Sequence, residues 1–268
     1  MASIKKRNLL GIVVAVVFIL LRMLLYYLNN TKGLVLINPY IYGFVDFGII
    51  LSPLIFIYED KKIRNISYIA IIILVILNGL SIANLAKNTE RIFMNSKNIK
   101  DDVIIEIVNQ GVGSEIYVYE RKYLIFSELK EVMYNEGEVA FNTRMKLTWV
   151  NDNLLSITYR DDNQVVEKII YFGGPETRYE NVLDHIEGTW VCSEGNKLIV
   201  SGNDVKYVSG GNTYTYSANY CDEQNNLSTI LYGNYLKPSI AIVRENGDVV
   251  SVRKVSLDET DWVQYKGA

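Results

Sequence analysis

The sequence predicts an α+β membrane protein in which three transmembrane helices precede two small antiparallel all-β modules, a meander and then a barrel or sandwich. Three observations carry this. Residues 9–28, 35–58 and 66–86 are apolar stretches, each close to the ~20 residues that cross a hydrocarbon core. After about Lys100 the chain turns to short β-branched and aromatic runs separated by turn residues, the signature of strands. The charge divides at the same place, with 12 Lys and Arg against 4 Asp and Glu in the first hundred residues and 15 against 26 in the rest. An acidic back half repels phosphates and argues against a nucleic-acid partner.

Residues 1–8 form a basic N-terminal tail. The first span is long, lacks an A-x-A-like cleavage site and is followed by two more, so it reads as a retained helix rather than a signal peptide. Lys5, Lys6 and Arg7 precede it, and Lys61, Lys62 and Arg64 lie between the second and third spans, whereas the opposite loop "NNTKG" holds only Lys32. The positive-inside rule then makes the N-terminus cytoplasmic and everything after the third span extracytoplasmic. Lys87, Arg91, Lys97 and Lys100 on the outer side oppose that bias.

Three polar residues interrupt the apolar segments. At ~1.5 Å per residue from the cytoplasmic end, Arg22 lies about 20 Å deep and Asp46 and Asn78 about 18 Å, so the three share a level. An unpaired carboxylate there is costly, which makes Arg22 the candidate partner of Asp46, with Asn78 nearby, as glue between the helices. Arg22 could instead snorkel to the headgroups beside Tyr26 and Tyr27, or the group could serve an ion or proton pathway. Gly43 and Gly48 flank Asp46 and would let a neighbouring helix approach closely. Pro39 and Pro53 are expected to kink the second span.

Residues 87–100 read as a helical stalk. In module one, residues 101–173, the runs "DVIIEIV", "EIYVYER", "MKLTWV", "LLSITYR" and "VVEKIIYF" form a meander, interrupted by "YLIFSELKEVMYNEG", a strand running into a helix or loop. "FGGPETRYEN" breaks strand pairing and marks the boundary to module two, residues 181–268, where seven or eight short strands and the hairpin signals "SGGN" and "ENGD" suggest a small barrel or sandwich.

Within "IEGTWVCSEGNKLIVSG", Gly188 and Trp190 and the strand rhythm after them resemble the opening of a calycin or lipocalin-like barrel, where such a Trp plugs one end; the module is shorter than a true lipocalin. "LTWVNDNLLSITYRDDNQVVEKIIYF" is similar to uncharacterised membrane-tethered or lipid-anchored extracytoplasmic domains of Gram-positive bacteria, which implies a location and no reaction.

Alternation along "NTYTYSANYC" places Tyr214, Tyr216 and Tyr220 on one face, either an aromatic platform for sugar or peptide or part of the core. Cys192 and Cys221 are a candidate disulfide in an oxidising compartment, or two thiols. His185 is the sole histidine, and no zinc, phosphate-loop or nucleophile-elbow motif is present. Asp161 with Asp162 and Asp258 with Glu259 are conceivable glycosidase carboxylates or calcium ligands, but read as solvated turns. No cofactor, metal or enzyme activity is called. The expected function is extracytoplasmic binding, sensing or an accessory-subunit role, with the bilayer and another envelope or membrane protein as partners. An auxiliary transporter or channel subunit using Arg22 and Asp46, or an envelope hydrolase with an unrecognised carboxylate site, are the alternatives.

Overall fold

A computed structural model describes residues 2–55, 61–95, 103–111, 113–136, 144–161, 164–172, 181–225, 227–245, 248–258 and 261–268. It is an α+β structure, with helices first and antiparallel sheets after them. α1 (Ala2–Lys32) and α3 (Lys61–Asn88) are continuous helices. Among the described residues these two, not three, are long and apolar enough to cross a membrane. The segment expected as a span over 35–58 divides into a strand β1 (Leu34–Leu36), a helix α2 (Tyr40–Leu51) and a 3-10 turn (Ser52–Ile55). Twelve helical residues rise only about 18 Å.

The division has local causes. Gly33, at φ 62°, ends α1 by donating its N–H to the Asn29 carbonyl, the left-handed cap that glycine accepts without strain. Pro39 caps α2 at its start, and Pro53, without an N–H, sits in the 3-10 turn that ends it.

The expected stalk is replaced as well, because the chain passes from α3 directly into β2 (Thr89–Met94). With β3 (Val103–Asn109), β4 (Ser114–Arg121) and β5 (Phe126–Asn135), the strands form a sheet in the order β1-β5-β4-β3-β2. "YLIFSELKEVMYNEG" thus contributes a strand and no helix. Its register is fixed by β1, with Leu34 opposite Glu128 and Leu36 opposite Phe126. Arg91 on one edge strand donates to Glu106 on β3 and to the carbonyl of Ile37, just beyond the other edge strand, so one side chain ties the two edges. The helices, β1, β2 and most of β3–β5 make up one unit of the chain. Module one is therefore not continuous over 101–173, since its later strands belong to a second unit.

That second unit holds a three-stranded sheet, β6 (Met145–Asn151), β7 (Leu154–Asp161) and β8 (Gln164–Tyr171), and the strands of module two. These are β9 (Gly188–Cys192), β10 (Lys197–Ser201), β11 (Asp204–Ser209), β12 (Asn212–Ser217), β13 (Cys221–Asn225), β14 (Ser228–Leu231), β15 (Ile240–Arg244), β16 (Val249–Lys254) and β17 (Val263–Gly267). Their order is β12-β11-β10-β9-β17-β16-β15-β14-β13. The chain crosses from one edge strand, β12, to the other, β13, in the single 3-10 turn Ala218–Tyr220. The sheet must therefore curl until its edges meet, and it forms a nearly closed barrel.

Period-2 alternation explains why β15 and β16 read as unbroken apolar runs. Ile240, Ile242, Val250 and Val252 enter the barrel core with Trp190, Tyr207 and Tyr265, while Ala241 and Val243 point outward against Leu154 and Ile169 of the covering three-stranded sheet. Trp190 is buried and donates Nε1–H to the Ile186 carbonyl at 2.7 Å. Burial pushes the Tyr265 phenol well above its ordinary value, with Tyr207 beside it adding to the rise. The aromatic side chains fill the interior.

Cys192 is buried in that core and Cys221 is half-buried against it, and both are thiols. The candidate disulfide is not formed, since the two residues sit on β9 and β13 with four strands between them in the sheet order. Denaturation without reductant is expected to release two alkylatable thiols by mass spectrometry. In the native protein Cys221 should react before Cys192.

Candidate functional site

Two places gather chemistry, one among the helices and one at the barrel seam. In the first, Arg22 Nε donates to Asp46 Oδ1 at 2.9 Å, and the guanidinium carbon lies 5.0 Å from the centre of the Tyr42 ring. The two side chains are 40% and 35% exposed, because they border a cavity of about 550 Å³ that Asn78 and Ser81 also line. The cavity borders run from Arg22 to Asn29 on α1, from Pro39 to Asp46 on α2 and from Asn78 to Leu85 on α3. Each is a seven-residue interval, about 10 Å of helix. Arg22, Asp46 and Asn78 thus form the deep end of one slot, whose shallow end lies where the helices meet the sheet.

Among the described residues none deeper than those three lines the slot, and beyond them the ring of Phe18 lies on Gly48 so closely that an added Cβ would overlap it. An added Cβ at Gly43 would meet the flexible end of Ile82 on α3, 2.5 Å away. α2 therefore packs on α1 through Gly48 and on α3 through Gly43. Gly48→Leu is expected to lower the melting temperature of the detergent-purified chain by several degrees, whereas Gly79→Leu, which has nothing within 4 Å, should leave it unchanged.

The second place departs from the alternation expected along β12. Tyr216 turns into the barrel and donates its hydroxyl to the Pro238 carbonyl at 2.6 Å, and Tyr214 packs against the core and stacks on Tyr207. Tyr220 lies past Ser217 on the 3-10 turn and is 78% exposed. The three tyrosines do not share a platform, because the 3-10 turn ends the alternation. Tyr220 instead borders a cavity of about 520 Å³ with Asp204, Tyr232, Asn234 and Lys237.

The loop between β14 and β15 supplies the far wall. Gly233 is required there, since a Cβ would run into the backbone of Lys237 and Pro238. Asn234 and Lys237 close a tight bridge that thrusts Tyr235 and Leu236 outward, 94% and 73% exposed. Lys237 reaches back across the seam, donating to the Thr215 carbonyl at 2.7 Å with its ammonium 4.4 Å from the Tyr216 ring centre. Tyr232 donates to Asp222 at 3.2 Å, and burial together with that carboxylate pushes its phenol up to about 12. The signal for this loop in the sequence is Gly233, Asn234 and Pro238 within six residues.

Of the remaining acidic candidates one member of each pair lies within the described residues. Asp161 accepts from the Glu136 backbone N–H at 3.2 Å, and Asp258 donates its backbone N–H to Ser256 Oγ in a turn; Asp162 and Glu259 lie outside the described residues. His185 ends a 3-10 turn before β9. Among the described residues no three His, Cys, Asp or Glu side chains gather as a metal site. Comparison with protein-family models, characterised proteins and solved structures finds no match to the chain.

Proposed function

We propose that the chain is a membrane-anchored extracytoplasmic binding, sensing or accessory-subunit protein, with no catalytic chemistry assigned. The observation that carries the binding reading is the barrel-seam cavity and the apolar side chains around it. Tyr220, Tyr235 and Leu236 are exposed to solvent beside Asp204, Asn234 and Lys237. A well-packed barrel gains nothing from exposing such a cluster, and exposed apolar patches rimmed by polar groups mark interaction sites. Tyrosine faces with an adjacent acid, amide and amine suit an envelope polymer or a peptide segment of a partner protein.

The anchoring reading rests on connectivity. α1 and α3 both run straight into edge strands of one sheet, so their C-terminal ends lie on the same side and the chain must return between them. An odd number of passages then separates the basic N-terminal tail from the sheet. Arg91, one of the outer charges that oppose the positive-inside bias, is neutralised by Glu106.

The test of binding is capture from envelope extracts by the detergent-solubilised full chain. A discrete component should be retained by the wild type and lost from the Tyr220→Ala/Tyr235→Ala variant, whose thermal midpoint stays unchanged. Equal recovery by both proteins, or none by either, rejects the seam as the binding site. The polar slot favours a second reading, an auxiliary transporter or channel subunit. Loss of function in Asp46→Asn with normal folding and intact seam binding would support it.

A further inference from the structure

We propose that the β4–β5 hairpin tip, Tyr123-Leu124-Ile125, enters the lipid leaflet beside the helices and forms a second membrane contact of this chain. The proposal rests on the membrane-spanning reading. It starts from a run of three consecutive apolar residues in the acidic portion of the sequence, exposed by 63%, 82% and 47%. The tip lies next to the helices. Ile37, just before α2, donates its N–H to the Ile125 carbonyl at 2.9 Å, and Phe126 packs against the cluster of Leu25, Leu36 and Val45 that joins α1 to α2. Leu25 falls within the apolar stretch of α1, so the hairpin reaches the depth at which that helix is already apolar.

The carbonyls of the tip are equipped for that depth. In hydrocarbon an unsatisfied carbonyl is costly, and loop carbonyls ordinarily rely on water. Here all four carbonyls from 123 to 126 have protein donors. Tyr123 accepts from the Phe126 N–H at 3.3 Å, Leu124 from Arg121 Nη2 at 3.1 Å, Ile125 from Ile37, and Phe126 from the N–H groups of Lys122 and Tyr123 at 3.0 and 3.1 Å. The side chains from 123 to 126 carry no charge. Arg121 and Lys122 precede the tip at its base, Lys122 paired with Glu120 at 2.7 Å and with Glu128 at 3.4 Å, and charged residues with a tyrosine suit the headgroup zone. An apolar tip, carbonyls with protein donors, a charged collar and contiguity with the helix core together fit a lipid surface better than a protein one.

The test uses the full chain in phosphatidylcholine–phosphatidylglycerol vesicles, with Cys192 and Cys221 replaced by alanine and a nitroxide label at a single introduced cysteine. Leu124→Cys is compared with Leu74→Cys on the exposed face of α3 and with Tyr235→Cys on the barrel loop. Accessibility to oxygen is measured against accessibility to a water-soluble nickel chelate. The expected result is that the ratio at 124 shifts toward oxygen, as at 74, while 235 favours the chelate. A label at 124 that favours the chelate while 74 favours oxygen overturns the proposal and leaves the spanning reading intact. A label at 124 that is immobilised and shielded from both reagents indicates a protein partner and also overturns it. If 74 itself favours the chelate, the spanning reading fails and the tip proposal with it.

Discussion

Glu167→Gln is expected to destabilise the barrel-bearing unit by about 3–5 kcal/mol, the cost of leaving one member of a buried ion pair alone. Arg253 on β16 and Glu167 on β8 pair at 2.7 Å with side chains 1% and 0% exposed, and Arg253 Nη2 also donates to Ser156 and Thr158 of β7 at 2.9 and 2.6 Å. Ser156 donates to the same Glu167 oxygen at 2.7 Å, and the guanidinium lies over the Trp262 ring. This cluster joins the covering sheet to the outer face of the barrel. Arginine cannot shed its proton, so the amide at 167 strands a permanent charge.

Arg253→Met behaves differently with pH. Burial already pushes the Glu167 carboxyl above the ordinary glutamate range, against the pull of Arg253 and Ser156. Without Arg253 the folded-state pKa rises further above the unfolded one. The variant therefore keeps the contribution of a protonated Glu167 at acid pH and loses it as pH rises through the raised folded pKa. Its deficit against the wild type should grow as pH rises above the wild type's own raised Glu167 pKa toward neutrality, as followed by denaturant unfolding. Replacing both residues by Met and Leu is expected to restore most of the stability.

Asp46→Arg is the second large effect. It sets two guanidinium groups against each other at one end of the helix slot, and on the membrane-spanning reading neither would have a counter-charge at that level. The yield of folded protein from membranes should fall severely, and Arg22→Asp in the same chain should recover most of it by re-forming the pair in reverse. Failure of the reversed pair to recover folding would remove the ion pair as the element that joins α1 to α2.

What the sequence made legible follows from the range of the interactions involved. α1 and α3 were legible because their apolar length is a local property, and Arg22, Asp46 and Asn78 could be grouped because helix rise alone sets their depth. The middle segment was mis-sized because Leu34–Leu36 is drawn into a strand by residues 126–128, some ninety positions away. β2 was read as a stalk for the same reason, since pairing with β3 is tertiary. Alternation holds only as far as Ser217, where a 3-10 turn sends Tyr220 outward. Arg253 was invisible as a core residue, because its outward register on β16 looks solvated until a second sheet covers that face.

Everything rests on the β modules lying across the membrane from the N-terminal tail, and labelling of single cysteines with a membrane-impermeant maleimide tests it most directly. In a Cys192→Ala/Cys221→Ala background, Tyr235→Cys is predicted to react on intact cells and Lys61→Cys only after permeabilisation. The opposite pattern, or protection of Tyr235→Cys until the cells are opened, would contradict the topology.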